Sequence, residues 1–174
     1  MIVCPHCAAD NIEGSDACEA CGQSIGDLHL ATPASDVERA LLADRLDVLD
    51  PKPPVVVGPE TRVLDVLKLL VEKAIGCAFI VENDLVVGVF SERDALHRIN
   101  VQIDELGGKP VSDFMTPRPQ SLDERARVVY AVRLMDQGGY RHVPICDENG
   151  LPTGVISVRD ILRYLTERMT SAGV

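Results

Sequence analysis

The sequence predicts an α+β protein: two tandem β-α-β-β-α repeats packed with pseudo-twofold symmetry, preceded by a small four-cysteine module and a linker helix. Three observations lead there. Four of the six cysteines form two Cys-x-x-Cys pairs before residue 22. The run Gly88-Val89-Phe90-Ser91-Glu92-Arg93-Asp94-Ala95-Leu96 returns as Gly154-Val155-Ile156-Ser157-Val158-Arg159-Asp160-Ile161-Leu162, identical at six of nine positions. Around each copy, apolar residues change from helical spacing to strand-like runs at matching offsets of 65 to 66 residues. The 174 residues are 46% hydrophobic and 25% charged, enough for one core and a polar surface. With 3% aromatics and no Trp, packing falls to Val, Leu, Ile and Ala.

Residues 1–30 form the first module. Its segment 3–25 has too little apolar mass to fold by burial alone. Cys4/Cys7 and Cys18/Cys21 are knuckles separated by ten residues, and each presents two thiolates from one tight turn. Two such turns facing each other complete a tetrahedron around a soft cation such as zinc. Gly22 follows the second pair, where the turn needs a residue tolerant of positive φ. Four protein ligands leave no open position, which points to a structural site, with His6 and His29 as bystanders. The alternative is four reduced, unliganded thiols. The segment resembles a short zinc ribbon. Rubredoxins hold iron in similar Cys-Pro-x-Cys knuckles but surround it with aromatics, of which this segment has none, so zinc is the expected metal.

Charge narrows the functions. The net charge is −10, and residues 1–34 carry Asp10, Glu13, Asp16, Glu19 and Asp27 with no Lys or Arg. Nucleic-acid affinity rests on cations that displace counterions from phosphates, so the module is poorly suited to it. No apolar run approaches the roughly 18 to 20 residues of a membrane span, and Met1-Ile2-Val3-Cys4-Pro5 has no signal-peptide form. A cytoplasmic protein with metal-bound rather than disulfide-bonded cysteines is the expectation.

Residues 31–45 read as the linker helix. Thr32-Pro33-Ala34 is a connector, Ser35-Asp36-Val37-Glu38 has the form of a capping box, and Leu41, Leu42, Arg45, Leu46 and Leu49 continue at helical spacing for about four turns. The repeats occupy 46–108 and 109–174. In the first, Val63, Val66, Leu67 and Leu70 form an apolar helical stripe that returns as Val128, Ala131, Val132 and Met135. The strand-like runs Cys77-Ala78-Phe79-Ile80-Val81 and His142-Val143-Pro144-Ile145-Cys146 follow, closed by turns at Glu82-Asn83-Asp84 and Asp147-Glu148-Asn149-Gly150. Cys77 and Cys146 lie in these runs and read as small core residues rather than a redox switch.

The repeated Gly-h-h-Ser-x-Arg-Asp, with h apolar, falls where a strand hands over to a helix. It has two readings. Ser-x-x-Asp is a helix cap, with Ser at the N-cap and Asp in the favourable first turn. The same turn suits a nucleotide: free N–H groups and a positive dipole end for phosphate, and a carboxylate for ribose hydroxyls. Arg93 and Arg159 add charge for phosphate oxygens, and Gly88 and Gly154 let the backbone lie close to a ligand.

From about Leu46 to Met169 the chain resembles a tandem pair of CBS domains, often called a Bateman module. The resemblance rests on the motif in both repeats, on Gly139-Tyr140-Arg141-His142-Val143-Pro144-Ile145, and on Asp113-Phe114-Met115-Thr116. It implies binding of AMP, ADP or ATP, with S-adenosylmethionine or a dinucleotide as further family ligands. By position, Asp94 and Asp160 are implied to hold ribose, and Ser91 and Ser157 to approach phosphate. Val143 and Ile145, or their neighbours, are implied to pair with adenine through backbone groups while the apolar strand faces sandwich the ring, and Tyr140, Arg141, His142, Pro144 and Ile156, with Cys77, Ala78 and Phe79 in the first repeat, are implied to line the nucleotide sites. Thr116 and Arg118 come from the segment leading into the second repeat. Because Thr116 aligns with Pro51, and the family's Pro144 with Phe79, the turn around Asp160 is expected to be the better site.

The resemblance further implies a homodimer and regulation of a client protein in trans, since the sequence stops after the second repeat. The alternatives are a nucleic-acid-binding regulator using the ribbon, a ligand-free dimerisation scaffold, and an iron-bearing electron carrier. No nucleophile–base pair, P-loop or Gly-x-Gly-x-x-Gly is present, so an enzyme is not expected.

Overall fold

The computed structural model describes residues 2–4, 7, 9–12, 15–23, 25 and 35–171. His6, His29 and the connector Thr32-Pro33-Ala34 lie outside the described residues. The fold is mixed α+β. The chain divides into two compact units. One comprises residues 1–51, 122–141 and 156–174, the other 52–121 and 142–155.

The second of these units is built on a four-stranded sheet of order β3-β4-β5-β6: Val56–Val57, Cys77–Glu82, Leu85–Ser91 and Thr116–Pro117. β3 runs parallel to β4, and α2 (Val63–Lys73) is the crossover between them. The apolar stripe faces inward: Val63, Val66 and Leu70 are buried with Ala78, Ile80, Phe90, Ile99 and Val111, and Leu67 packs against them. β4 and β5 form a hairpin whose two-residue turn, Asn83-Asp84, has φ of 50° and 65°. Positive φ at both central residues matches the right-handed twist of the strands, and Asn and Asp tolerate it best after Gly. After β7 (Leu122–Asp123), β8 (His142–Cys146) and β9 (Pro152–Ser157) are likewise neighbours. Their connection is longer than a tight Asn-Gly turn. Asp147 Oδ1 accepts the N–H groups of Asn149 and Leu151, both at 2.9 Å, and only Gly150 is at positive φ.

After β5 the first repeat's final helix is broken. α3 (Glu92–Asp94) runs into a π-helical turn at Ala95–Ile99, a 3₁₀ turn at Asn100–Gln102 and α4 (Ile103–Leu106). The second repeat's counterpart, α6 (Val158–Ser171), is one regular helix.

In the other unit, β1 (Ile2–Val3) and β2 (Asp10–Asn11) pair antiparallel within the cysteine module. α1 (Asp36–Ala43) starts at the predicted Ser35 cap, whose Oγ accepts the Glu38 N–H at 3.2 Å. It spans eight residues, not four turns. The helix stops because residues 44–46 are drawn out alongside 126–128. Val128 N–H donates to Asp44 O and Leu46 N–H to Ala126 O, both at 3.0 Å. Asp44 also accepts the Tyr164 hydroxyl at 2.8 Å and the Arg168 guanidinium, which ties α6 to the end of α1. Leu46 and Leu49 then turn inward on a 3₁₀ turn. On α5 (Val128–Gly138), Val128, Tyr130 and Ala131 are buried.

Candidate functional site

The knuckles bring all four cysteines together. The Sγ atoms of Cys4, Cys7, Cys18 and Cys21 lie within 4.8 Å of one another, with Cys4–Cys21 at 3.8 Å and Cys7–Cys18 at 3.6 Å. Sulfurs held about 2.3 Å from a tetrahedral zinc ion stand about 3.8 Å apart, so the donor set fits that metal. Gly22 takes φ of 70°, as the turn requires, and its N–H donates to Cys18 O at 2.8 Å. Burial pushes the Cys18 thiol up, yet the backbone N–H groups of Cys21 and Ala20, the Asn11 side chain and Cys7 outweigh it and bring it down to about 6. Burial dominates at Cys21 and Cys7, whose thiols are pushed up.

Asn11 joins the two knuckles. Its Nδ2 donates to Ala9 O at 2.9 Å, its Oδ1 accepts the Glu19 N–H at 3.0 Å, and it is buried. No metal-ligand pattern singles out an Asn, so sequence reading passes over it. Tyr130 on α5 lies close enough for the cluster to act on it: burial, then the negative charge of Cys4 and Cys21, pushes its hydroxyl up.

The two Ser-x-x-Asp turns share one geometry. Asp94 Oδ2 accepts the Ser91 N–H at 2.9 Å and the Ser91 hydroxyl at 2.7 Å. Asp160 Oδ2 accepts the same pair from Ser157 at 2.8 and 2.7 Å. Both carboxylates are buried, at 9% and 8% exposure. Main-chain anchors repeat as well: Glu92 N–H donates to Gly76 O at 3.1 Å, and Val158 N–H to Arg141 O at 3.0 Å. Antiparallel pairing sets Cys77, Ala78 and Phe79 opposite Ser91, Phe90 and Val89, so the expected adenine-side strand runs beside the Asp94 turn. Arg93 is exposed next to it.

Thr116 stands at the first repeat's turn. β6 pairs with β5, Thr116 opposite Val89, and the Thr116 hydroxyl donates to Asp94 Oδ1 at 3.1 Å. The segment leading into the second repeat therefore closes the first repeat's sheet, and it is Asp94 that has the hydroxyl. The same exchange runs the other way: Lys52, before the first repeat's helix, bridges to Val155 on β9. At Gly88 a Cβ would fall 2.1 Å from Met115 Sδ, so the glycine makes room for Met115. Arg118, exposed after β6, sits at φ of 49° with its N–H on Val87 O at 2.9 Å.

The remaining predicted residues fall as follows. His142, Val143 and Pro144 are on β8 in the same unit as Asp94, with the His142 ring against Gly76. Tyr140, Arg141, Ile156, Ser157, Arg159 and Asp160 belong to the unit that holds the cysteines. Two arginines escaped the sequence reading. Arg98 reaches Phe114 O at 3.0 Å and Met115 O at 2.7 Å, with its Nε 3.6 Å from Asp94 Oδ1. Arg163 donates to Leu49 O at 3.0 Å and to Asp160 Oδ1 at 3.1 Å. They follow their aspartates at i+4 and i+3, so repeat alignment does not pair them.

The CBS domain family model matches residues 47–101 and 111–167. A 17.7 kDa protein of Acidianus ambivalens is 32% identical over 114 residues, 64% of this chain and 67% of its own length. Arabidopsis thaliana CBSCBSPB1 is 29% identical over 117 residues, 67% of this chain but only 21% of that protein. The crystal structure of CBSX2 in complex with AMP, a protein of Arabidopsis thaliana, matches with a TM-score of 0.60 at 28% identity, over 71% of this chain and 97% of that one. PAE2072 from Pyrobaculum aerophilum, also complexed with AMP, gives 0.61 at 29% identity, over 71% and 98%.

Proposed function

The chain belongs to the CBS-domain family, and on that premise we propose that it is a regulatory protein whose repeats sense AMP, ADP or ATP and whose four cysteines hold a structural zinc ion. The observation that carries the reading is the Asp94 turn: a buried carboxylate at the start of a helix, beside an apolar strand and a threonine hydroxyl. Two relatives of the same fold are crystallised with AMP, which supports the ligand class. In this reading Ser91 approaches phosphate, Asp94 takes ribose hydroxyls, and Cys77 to Phe79 border adenine. Ser157, Arg159 and Asp160 are the second repeat's equivalents.

Nucleotide shifts the protein between states only through different affinities for them. The shift alters the packing of the repeats or of their homodimer, and a client protein, on which this chain acts in trans, reads the change. Zinc, when bound, cross-links the two knuckles and supplies folding energy to a module whose buried cluster is only Cys4, Cys18 and Ile25 with Ala9 packed against them. Among the described residues no helix is long and apolar enough to cross a membrane, in keeping with a cytoplasmic regulator.

A second reading has support of its own. Ser91 and Asp94 satisfy each other as a complete capping box, so the turns also serve as plain helix caps in a dimerisation scaffold. Thermal melting separates the two. A ligand at 100 times its Kd adds about 2.7 kcal/mol of stability, so AMP, ADP or ATP should raise the melting temperature, and 2′-deoxy-AMP should do so less. No shift with any of the three favours the scaffold. Elemental analysis should give one zinc per chain; a coloured, iron-containing protein contradicts the metal assignment.

A further inference from the structure

We infer that Arg163 reserves the Asp160 carboxylate for itself, leaving the Asp94 turn as the chain's one tight nucleotide site. The inference rests on reading the Ser-x-x-Asp turns as nucleotide sites, and it reverses the preference expected from alignment.

In both turns the inner carboxylate oxygen, Oδ2, already accepts an N–H and a hydroxyl from its serine. Only Oδ1 remains to receive a ribose hydroxyl, and the two Oδ1 atoms are held differently. Asp94 Oδ1 has the Thr116 hydroxyl at 3.1 Å. Arg98 stands back at 3.6 Å because its Nη1 is engaged by the carbonyls of Phe114 and Met115. Asp160 Oδ1 has the Arg163 guanidinium itself at 3.1 Å, and the same nitrogen holds Leu49 O at 3.0 Å. The position equivalent to Thr116 is Pro51, which has no hydroxyl to offer.

These arrangements respond differently to a ligand. A hydroxyl is donor and acceptor, so Thr116 can turn from the carboxylate and bond the incoming nucleotide. A guanidinium only donates, and its contact with a carboxylate is charge-assisted, about twice as strong as a neutral hydrogen bond. Ribose must break that contact to reach Asp160. The difference originates in helix winding. α6 is regular from Val158, so its i+3 residue stands over Asp160. The first repeat's helix loosens into the π-helical turn at Ala95–Ile99, and its arginine arrives one position later, where the 114 and 115 carbonyls take it. Arg163 is thus a specificity-determining residue of the second turn.

Calorimetric titration of the metal-loaded full chain with AMP tests this. The wild type should bind one equivalent per chain, and Asp94→Ala should lose it. Arg163→Gln should gain a second equivalent, at least about tenfold tighter than the wild type shows at that turn. A readout independent of variants is the amide spectrum of the wild type: AMP should shift Glu92 and Arg93 while Val158 and Arg159 stay in place. Two equal equivalents in the wild type, binding retained in Asp94→Ala, a single equivalent in folded Arg163→Gln, or Val158 and Arg159 shifting together with Glu92 would each overturn the inference while leaving nucleotide binding intact. A wild type that binds no AMP overturns the underlying reading, and this inference with it.

Discussion

Ala74 caps α2 in the left-handed region, at φ of 52°, with its N–H returned to Leu70 O and Val71 O. The equivalent cap of α5 is Gly139, at φ of 64°. A Cβ in that conformation is disfavoured, so Ala74→Gly should stabilise the protein by about 0.5–1 kcal/mol, measured as a shift in urea midpoint. Asp147 offers a pH test. The Leu151 N–H, with those of Asn149 and Gly150, holds its carboxyl below the usual range. A depressed folded pKa gives stability that is present above the unfolded value of about 3.9 and is lost as pH falls through the folded value. Asp147→Ala should therefore flatten the acid limb of the melting-temperature profile below about pH 4; an unchanged limb contradicts the role. Of these residues, the sequence marked the turn at 147–150 but not its geometry. Two turns of similar composition differ because one chain turn closes by backbone conformation at Asn83-Asp84 and the other by a side-chain carboxylate.

At the scale of elements, the apolar stripes of α2 and α5 and the strands β4, β5, β8 and β9 were legible because each follows one periodicity without competition. α1 was legible at its start and not at its end. A capping serine is local, whereas the stop at Asp44 depends on partners more than 80 residues away: the Val128 N–H, Tyr164 and Arg168. Burial and the Asp44 hydrogen bond push the Tyr164 hydroxyl up to about 12. Asp44→Ala should cost about 1–2 kcal/mol in denaturant unfolding, since it leaves two donors of α6 without their acceptor. The exchange of β6 into the first repeat's sheet was illegible for a related reason. Alignment assigns a residue to the repeat that contains it, but Thr116 is placed by a hydrogen-bonded neighbour in space.

For the molecule as a whole, the doubled motif and the paired knuckles made the architecture readable, and they carried the cysteine cluster with them. What they left out were the residues that act through others: Asn11 between the knuckles, and Arg98 and Arg163 beside the aspartates. Metal removal should show how far the cysteine module supports the rest. With no Trp and three Tyr in the chain, one of them Tyr130 near the cluster, a strong chelator should lower the melting temperature and change tyrosine emission together. An unchanged melting curve would separate the module from the fold's stability.

The central claim is that this chain recognises an adenine ribonucleotide through a buried aspartate at a helix start. The direct measurement is a calorimetric titration of the metal-loaded protein with AMP and, side by side, 2′-deoxy-AMP. The account predicts saturable AMP binding that weakens about tenfold or more when the ribose hydroxyl is absent. Equal binding of the two would remove the carboxylate from recognition, and no heat from AMP, ADP or ATP would contradict the claim outright.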